Sequence, residues 1–368
     1  MTPNTSKLQR NVLFRSVNLP KGNPFLSLRA IPFLIVLAGS LAIQPAVRAN
    51  PVVKTITVDA PNSLGALAGI IASPNRSAVY VADSESNKIA VIDTVANQID
   101  FFIPTANPPV GLGLSPDGNT LYVTEGNQTV FGGFLEAISL TTFSQLFIVP
   151  LVFEPEFPGV SSDGSTVYAP GGRHVAVVGG PLNGDNIFVN GSPVDAVFNH
   201  SNTSAYVTNA GFTGISVIDT ATGSVTTIPT ATVTFGLAIR GNTLYATGIN
   251  AVYVINTTFN TVIDTINVPT PGIFSVSLPA LTPDGAFLYV PVFQNLSNFT
   301  SFDNTVVVIN TKTKTVVGKP ITVGQAPIQV AAAANGIYGY SSNELDGTVT
   351  VFRLLNQDQQ GQNQDQQP

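Results

Sequence analysis

A tyrosine recurs along most of this chain at intervals that a single structural unit would set. Seven of the nine tyrosines lie 38 to 49 residues apart. They are Tyr80, Tyr122, Tyr168, Tyr206, Tyr245, Tyr289 and Tyr338. A period of roughly 20–50 residues is typical of repeat architectures, in which neighbouring units stack and bury a shared core. We therefore expect an array of similar units and not two unrelated domains.

The repeats share one order of turns and alternating segments. A turn precedes each tyrosine, as in Ser-Pro-Asp-Gly at 115–118, where Pro presets one corner and Gly accepts a positive φ. Polar and apolar residues alternate at 120–124, which indicates a half-buried strand. The next strand ends in an Asp-Thr or Asn-Thr turn, as at 93–94 and 310–311, and two further apolar runs complete the unit. Four short antiparallel strands per unit predict one blade of a β-propeller.

These motifs resemble the YVTN family of seven-bladed β-propeller repeats. Tyr206-Val207-Thr208-Asn209 spells the signature of that family, and the Ser-Pro-Asp-Gly and Val-Ile-Asp-Thr segments are similar to it as well. The resemblance covers nearly all of residues 50–355 and implies an exported or surface-associated propeller. It implies no active site, because the shared motif builds blades. Tyr-Ala-Pro-Gly at 168–171 departs from the signature.

We expect the first strand of the mature chain to complete the last blade. The last apolar alternation, at 348–352, has the pattern of a third strand and no fourth strand follows it. Residues 52–59 have the pattern of the missing strand, and pairing of the two segments would close the ring and remove its exposed sheet edges. The predicted fold over 50–355 is thus all-β, a seven-bladed β-propeller with four antiparallel strands per blade.

The two ends of the chain carry different signals. Residues 1–49 contain six basic residues, no acid, an apolar run at 30–43 and small residues before Asn50, which predicts a secretory signal peptide. The apolar run is shorter than the ~20 residues of a membrane-spanning helix. Residues 356–368 are mostly Gln, Asn and Asp and predict a disordered tail. We expect a monomer exported to the periplasm, the cell surface or the medium, with no transmembrane segment after cleavage.

Composition excludes or disfavours several chemistries. The absence of Cys excludes disulfide scaffolds, thiol nucleophiles and zinc-thiolate sites. The net charge of -6 and the lack of basic clusters, apart from three lysines at 312–319, disfavour nucleic acid as a partner. Two histidines argue against a His-rich copper or haem site. No G-x-S-x-G motif marks a nucleophile, and Gly-Leu-Gly at 111–113 lacks the third glycine of a dinucleotide loop.

The loops between the second and third strands are predicted to share one face of the disc with the blade-to-blade connections. These loops vary while the turns of the other face are uniform, so we expect a ligand at the variable face. His200 lies in a turn of the uniform face and is interpreted as structural. The candidate ligand-binding residues are Asp83, Glu85, Asn87, Glu125, Arg173, His174, Asn209, Asn250 and Glu344, and the same loops carry Asn127, Asp303, Asn304 and Asp346.

Two functions of different classes remain open. The first is a non-enzymatic binding or surface scaffold with no catalytic residue and no cofactor, whose partner is a protein or glycan of the cell envelope. The second is a hydrolase similar to the lactonase-type propellers. In that case Glu85, Glu125 and Glu344 would converge on a divalent cation such as calcium, which prefers carboxylate oxygens, or His174 would act as a base. The scaffold is favoured because no catalytic motif was recognised.

Overall fold

A computed structural model describes residues 52–59, 67–126, 132–270, 274–295 and 302–355. The predicted signal peptide and the predicted tail lie outside these ranges. Within them the chain consists of β-strands, turns and connections, with no helix. The first strand is β1 (Val52–Thr57).

The strands that follow form three antiparallel sheets, each with four strands in chain order. The first sheet contains β2 (Leu67–Ala72), β3 (Ala78–Asp83), β4 (Lys88–Asp93) and β5 (Gln98–Pro104). The second contains β6 (Pro109–Leu114), β7 (Thr120–Gly126), β8 (Gly133–Ser139) and β9 (Ser144–Leu151). The third contains β10 (Gly159–Val160), β11 (Thr166–Gly171), β12 (His174–Gly179) and β13 (Asn186–Phe188).

Each group of four consecutive strands is called a set from here on. A longer strand joins the next two sets. The seven strands of this sheet are β14 (Pro193–Phe198), β15 (Ser204–Asn209), β16 (Thr213–Asp219), β17 (Val225–Arg240), β18 (Thr243–Gly248), β19 (Ala251–Asn256) and β20 (Thr261–Asn267). The first part of β17 pairs with β16 and its last part pairs with β18. β17 is therefore the fourth strand of one set and the first strand of the next.

The last two sheets bring the two ends of the described chain together. One contains β21 (Phe274–Val276), β22 (Ala280–Leu281), β23 (Phe287–Asn295), β24 (Phe302–Asn310), β25 (Thr315–Val316) and β26 (Ile321–Thr322). The other contains β27 (Pro327–Ala332), β28 (Tyr338–Asn343) and β29 (Thr348–Arg353). β1 pairs antiparallel with β29, which places Thr55 opposite Thr350 and Thr57 opposite Thr348.

The repeated tyrosine occupies the third position of the second strand in six of the seven sets. Its ring is fully buried in four of these, including Tyr80 and Tyr206. The prediction for the last set was wrong by two residues. Tyr338 begins β28, is half-buried and packs against Arg353, whereas Tyr340 is fully buried and donates a hydrogen bond to Asn97 Oδ1 at 2.5 Å. The two tyrosines are two residues apart on one side of the strand, so alternation alone could not separate them.

The uniform turns form one end of the sheets, which we call the turn end. In the turn at 115–119, Ser115 Oγ donates to Asp117 Oδ1 at 2.5 Å and Gly118 has a φ of 64°. The Ser115 bond and the Asn119 amide lower the pKa of Asp117. Turns of neighbouring sheets also bond to each other, since Arg76 Nη2 donates to Asn119 Oδ1 at 3.1 Å. The turn end is thus built by bonds within and between turns.

Apolar clusters join neighbouring sheets throughout the described chain. Seven such clusters occur, and each combines buried side chains from two neighbouring sets of strands. One of them unites the last set with the first, because Val349 and Val351 of β29 pack with Ile70 and Val79 of β2 and β3. The core is therefore a series of interfaces between sheets, as stacked repeats require.

The first strand of each set, which we call the innermost strand, also contacts the neighbouring set directly. Gly111 in β6 leaves no room for a side chain, because a Cβ there would lie 2.6 Å from the Glu156 carbonyl oxygen. At the corresponding place in β14, Asp195 Oδ2 accepts the Leu237 N–H at 2.7 Å. Gln329 of β27 does the same, since its Oε1 accepts the Ile70 N–H of β2 at 3.0 Å. Close backbone approach and single side-chain acceptors therefore link successive innermost strands.

Candidate functional site at the loop end

The loop end lies opposite the turn end and carries the loops between second and third strands, together with the connections between sets. The described loops are 84–87, 172–173, 210–212, 249–250 and 344–347. The loop at 127–131, with the candidate Asn127, lies outside the described residues. The remaining candidates fall into a buried group at the strand ends and a more exposed group in the loops.

The last residue or last-but-one residue of the second strand is polar and fully buried in four sets. Asp83, Glu125, Asn209 and Asn343 each have 0% of their surface exposed. Three of the four were predicted to contact a ligand at the variable face. The structure places all of them beneath the loops, where they contact the strand that follows.

Two of these residues donate their side-chain amide N–H groups within their own sheet. Asn209 Nδ2 donates to Ser216 Oγ of β16 at 3.2 Å. Asn343 Nδ2 donates to Thr350 Oγ1 of β29 at 2.9 Å and to Thr348 Oγ1 at 3.0 Å. A buried amide that finds such partners stabilises the hairpin in which it lies. Asn209 and Asn343 therefore act as internal braces of their strands.

Glu125 also contacts the third strand of its own sheet, but its neighbour there is a second acid. Its carboxyl lies within hydrogen-bond reach of Glu136 of β8, and Asn107 Nδ2 donates to its Oε2 at 2.9 Å. Glu125 Oε1 and Glu136 Oε2 are both buried and receive no N–H or O–H from another described residue. Two carboxyl groups can form a hydrogen bond only if one of them carries a proton. Burial, followed by the bond to Glu136, raises the pKa of Glu125 to about 8.

Sequence reasoning missed Glu136, although a signal was present. The residue lies in the centre of the strand Gly-Phe-Leu-Glu-Ala-Ile at 133–138, where an acid is out of place among apolar residues. The strand registers put Ala90, Ser216 and Thr350 at the same place in other sets. An alignment of the repeats would therefore show Glu136 as a glutamate where these sets have a small residue, on the strand next to Glu125.

The loop at 84–87 combines a buried ion pair with exposed groups. Lys88 Nζ lies 3.3 Å from Asp83 Oδ2, and Asp83 Oδ1 accepts the Ser86 N–H at 3.1 Å. Burial raises the pKa of Asp83 despite these contacts. Asn87 has a φ of 49°, which closes the loop, and Glu85 is exposed. Glu85 is thus the candidate of this loop that solvent reaches most easily.

Arg173 and His174 belong to a cluster of aromatic rings at the third sheet. The Arg173 guanidinium lies 5.1 Å from the ring centre of Phe188, and Phe188 is 52% exposed. The His174 ring is 5.7 Å from Phe188 and stacks at 6.1 Å on Phe153. A cation above an aromatic face is an attractive arrangement. We call Phe153, Arg173, His174 and Phe188 the aromatic cluster.

The other candidates have mostly structural contacts. Asn250 has a φ of 50° and its carbonyl accepts the Val268 N–H at 2.9 Å. The Glu344 N–H donates to the Ala326 carbonyl at 3.0 Å, and the Asn304 carbonyl accepts the Val323 N–H at 2.7 Å. Asp346 Oδ2 accepts the Gln325 N–H at 2.7 Å. The Asp303 carbonyl similarly accepts the Ala326 N–H. These residues fasten the loops to the connections between sheets.

The candidate acids do not gather around one point. Across the described ranges, no group of three His, Cys, Asp or Glu side chains is arranged to hold a metal ion, so Glu85, Glu125 and Glu344 form no such group. His200 is exposed at the turn end, where its carbonyl accepts a hydrogen bond from Ser162 Oγ at 2.9 Å. The part of the chain that the structure describes has no helix long and apolar enough to cross a membrane.

Comparison with known proteins supports the fold and leaves the family open. The chain matches no protein-family model and no curated protein. It is similar in structure to Kuenenia stuttgartiensis hydrazine synthase, with a TM-score of 0.66 and 16% sequence identity over 80% of this chain and 97% of that chain. At this identity the similarity shows the fold alone. The resemblance to the YVTN family rests on the sequence motifs alone. The repeated antiparallel sheets and the structural similarity together support a β-propeller-like all-β fold.

Proposed function

We propose that this protein is an exported seven-bladed β-propeller of the YVTN type that acts as a non-enzymatic binding scaffold through its loop end. Seven blades are supported by the seven apolar clusters, each of which joins two neighbouring sets of strands. Ring closure is supported by the pairing of β1 with β29 and by the bond from Ile70 to Gln329. Export is supported by the basic and apolar residues of the first 49 positions.

Paired cysteines test ring closure in solution, because the chain has no other Cys. Thr57 and Thr348 are cross-strand partners, so Thr57→Cys with Thr348→Cys should form a disulfide and raise the melting temperature. The control pair Lys54→Cys with Thr348→Cys is out of register and should stay reduced. Closure is wrong if the first pair also stays reduced under oxidising conditions.

The aromatic cluster carries the proposal of a binding function. Its exposed Phe188 ring and the adjacent Arg173 guanidinium form a surface that places a π face beside a positive charge. Such surfaces stack on planar peptide groups and on the C–H faces of sugar rings. The partner proposed is therefore a protein or glycan of the cell envelope, bound at the loop end.

Site-specific photocrosslinking tests this proposal. A photoreactive residue at the exposed position 190, two residues beyond Phe188, should capture envelope components, whereas the same residue at the exposed position 200 of the turn end should not. Addition of unlabelled wild-type protein should reduce capture, and addition of the Arg173→Ala, Phe188→Ala variant should not. Equal capture at both ends, or competition by the variant, would refute a binding surface at the aromatic cluster.

The second candidate function is a lactonase-like hydrolase, and one observation favours it. Glu125 is buried beside Glu136, and a carboxyl whose pKa is raised to about 8 is suited to acid–base catalysis near neutral pH. Hydrolysis of a panel of lactones that disappears in Glu125→Gln would support this function. A correctly folded wild-type protein that hydrolyses none of the panel would eliminate it.

A further inference from the structure

A cavity of about 430 Å³ lies between the last two sheets at the loop end. It is bounded on one side by β1, β29 and the loop at 344–347, and on the other by the end of β26 and the connection that follows. The volume is within the usual range for small-molecule sites. The residues that line it are Val52, Thr55, Thr322, Val323, Gly324, Leu345, Asp346, Thr348 and Thr350.

Hydroxyl groups dominate the polar lining of this cavity. Thr348 and Thr350 lie two residues apart on one side of β29, and Thr55 of β1 is directly opposite Thr350. Thr322 faces them from β26. Asp346 supplies a carboxylate, and none of the lining residues is Lys, Arg or His. Anionic ligands are therefore disfavoured, because no positive charge is present to compensate theirs.

Two of the hydroxyls are oriented by a buried amide. Asn343 Nδ2 donates to both Thr348 Oγ1 and Thr350 Oγ1, and the Gly324 N–H also donates to Thr350 Oγ1 at 3.2 Å. A hydroxyl oxygen that already accepts a hydrogen bond keeps its own hydrogen for donation. Asp346 is fixed as an acceptor, because its Oδ2 accepts the Gln325 N–H at 2.7 Å. The cavity thus presents oriented donors beside a fixed acceptor.

We infer that this cavity binds a neutral polyhydroxyl ligand, a saccharide unit. Each sugar hydroxyl can both donate to Asp346 and accept from a threonine, and the C–H faces of the sugar fit the apolar side chains of Val52, Val323 and Leu345. The site is separate from the aromatic cluster, and the inference does not depend on the scaffold function proposed above. It depends on the Asn343 amide, which fixes the two threonines in one orientation.

Ligand-observed NMR with a panel of neutral sugars tests the inference directly. The probes are glucose, galactose, mannose, N-acetylglucosamine, maltose and cellobiose, each titrated to 20 mM against the wild-type protein. We expect saturation transfer from at least one of them. Thr348→Val, which removes one hydroxyl at nearly constant volume, and Asp346→Asn should each weaken that binding at least tenfold. Thr226→Val, at an exposed strand position outside the cavity, is the matched control and should bind as the wild type does.

A second variant guards against effects on folding. Thr55 is exposed on the outermost strand, so Thr55→Phe should fill the cavity from the solvent side without disturbing buried groups. It should abolish sugar binding and leave the melting temperature within 2 °C of the wild type. The inference is overturned if no sugar of the panel binds by 20 mM, or if binding persists unchanged in Thr55→Phe and Asp346→Asn.

Discussion

Replacement of Glu125 by Gln should make the protein more stable at alkaline pH. In the wild type Glu125 keeps its proton beside Glu136, and the folded protein loses that proton as the pH rises through about 8. An unfolded glutamate releases its proton near pH 4.5. Between these values the folded state binds more protons than the unfolded state, so stability falls with rising pH. The amide introduced by Glu125→Gln would keep its N–H donor at every pH and would avoid this loss.

The size of this loss of stability follows from the difference between the folded and unfolded pKa values of Glu125. Each pH unit that separates them is worth about 1.4 kcal/mol. A folded pKa of about 8 against an ordinary 4.5 therefore corresponds to a loss on the order of 5 kcal/mol once the proton has left. Below pH 4.5 both states are protonated, and the two proteins should differ little. Above pH 8 the Glu125→Gln variant should be the more stable by several kcal/mol.

Urea unfolding at pH values from 4 to 9.5, followed by circular dichroism, measures this difference. The difference between variant and wild type isolates the pair, because the other titrating groups are common to both proteins. Glu85→Gln, at an exposed position of the loop at 84–87, is the matched control and should follow the wild-type profile. Parallel profiles for wild type and Glu125→Gln, or a less stable variant at pH 9, would refute the raised pKa of Glu125.

Three further predictions concern stability. The Ser161 hydroxyl, helped by Ser165, lowers the pKa of Asp163 to about 2, so the stability from this contact should fade as the pH falls from 4 to 2; Asp163→Asn should flatten that part of an acid titration. Gly111→Ala should cost about 1–3 kcal/mol, because its Cβ would meet the neighbouring backbone, and an unchanged melting temperature would contradict this. Asn209→Ala should cost about 1–3 kcal/mol in urea unfolding, because it leaves buried acceptors without a donor.

The candidate residues show where local sequence reasoning stops. Asp83, Glu125 and Asn209 were predicted to contact a ligand at the variable face, yet all three are fully buried. Each lies near the end of a strand whose neighbours cover it, and burial of this kind depends on sheets that the local sequence does not describe. Arg173 and Glu85 are exposed because they lie inside the loops themselves. Whether a candidate residue is buried or exposed therefore depends on its position relative to the strand end and not on its polarity.

The repeat of turns and alternating strands in the sequence was enough to determine the class of fold. That was possible because Pro, Gly and Asx turns and period-2 alternation act within a few residues. Contacts between distant segments were decided only by the tertiary structure. Glu125 meets Glu136 because two strands pair in one register, and Gln329 bonds to Ile70 because the last and first sheets are neighbours. Such contacts join residues that local periodicity treats as independent, so only the folded chain brings them together.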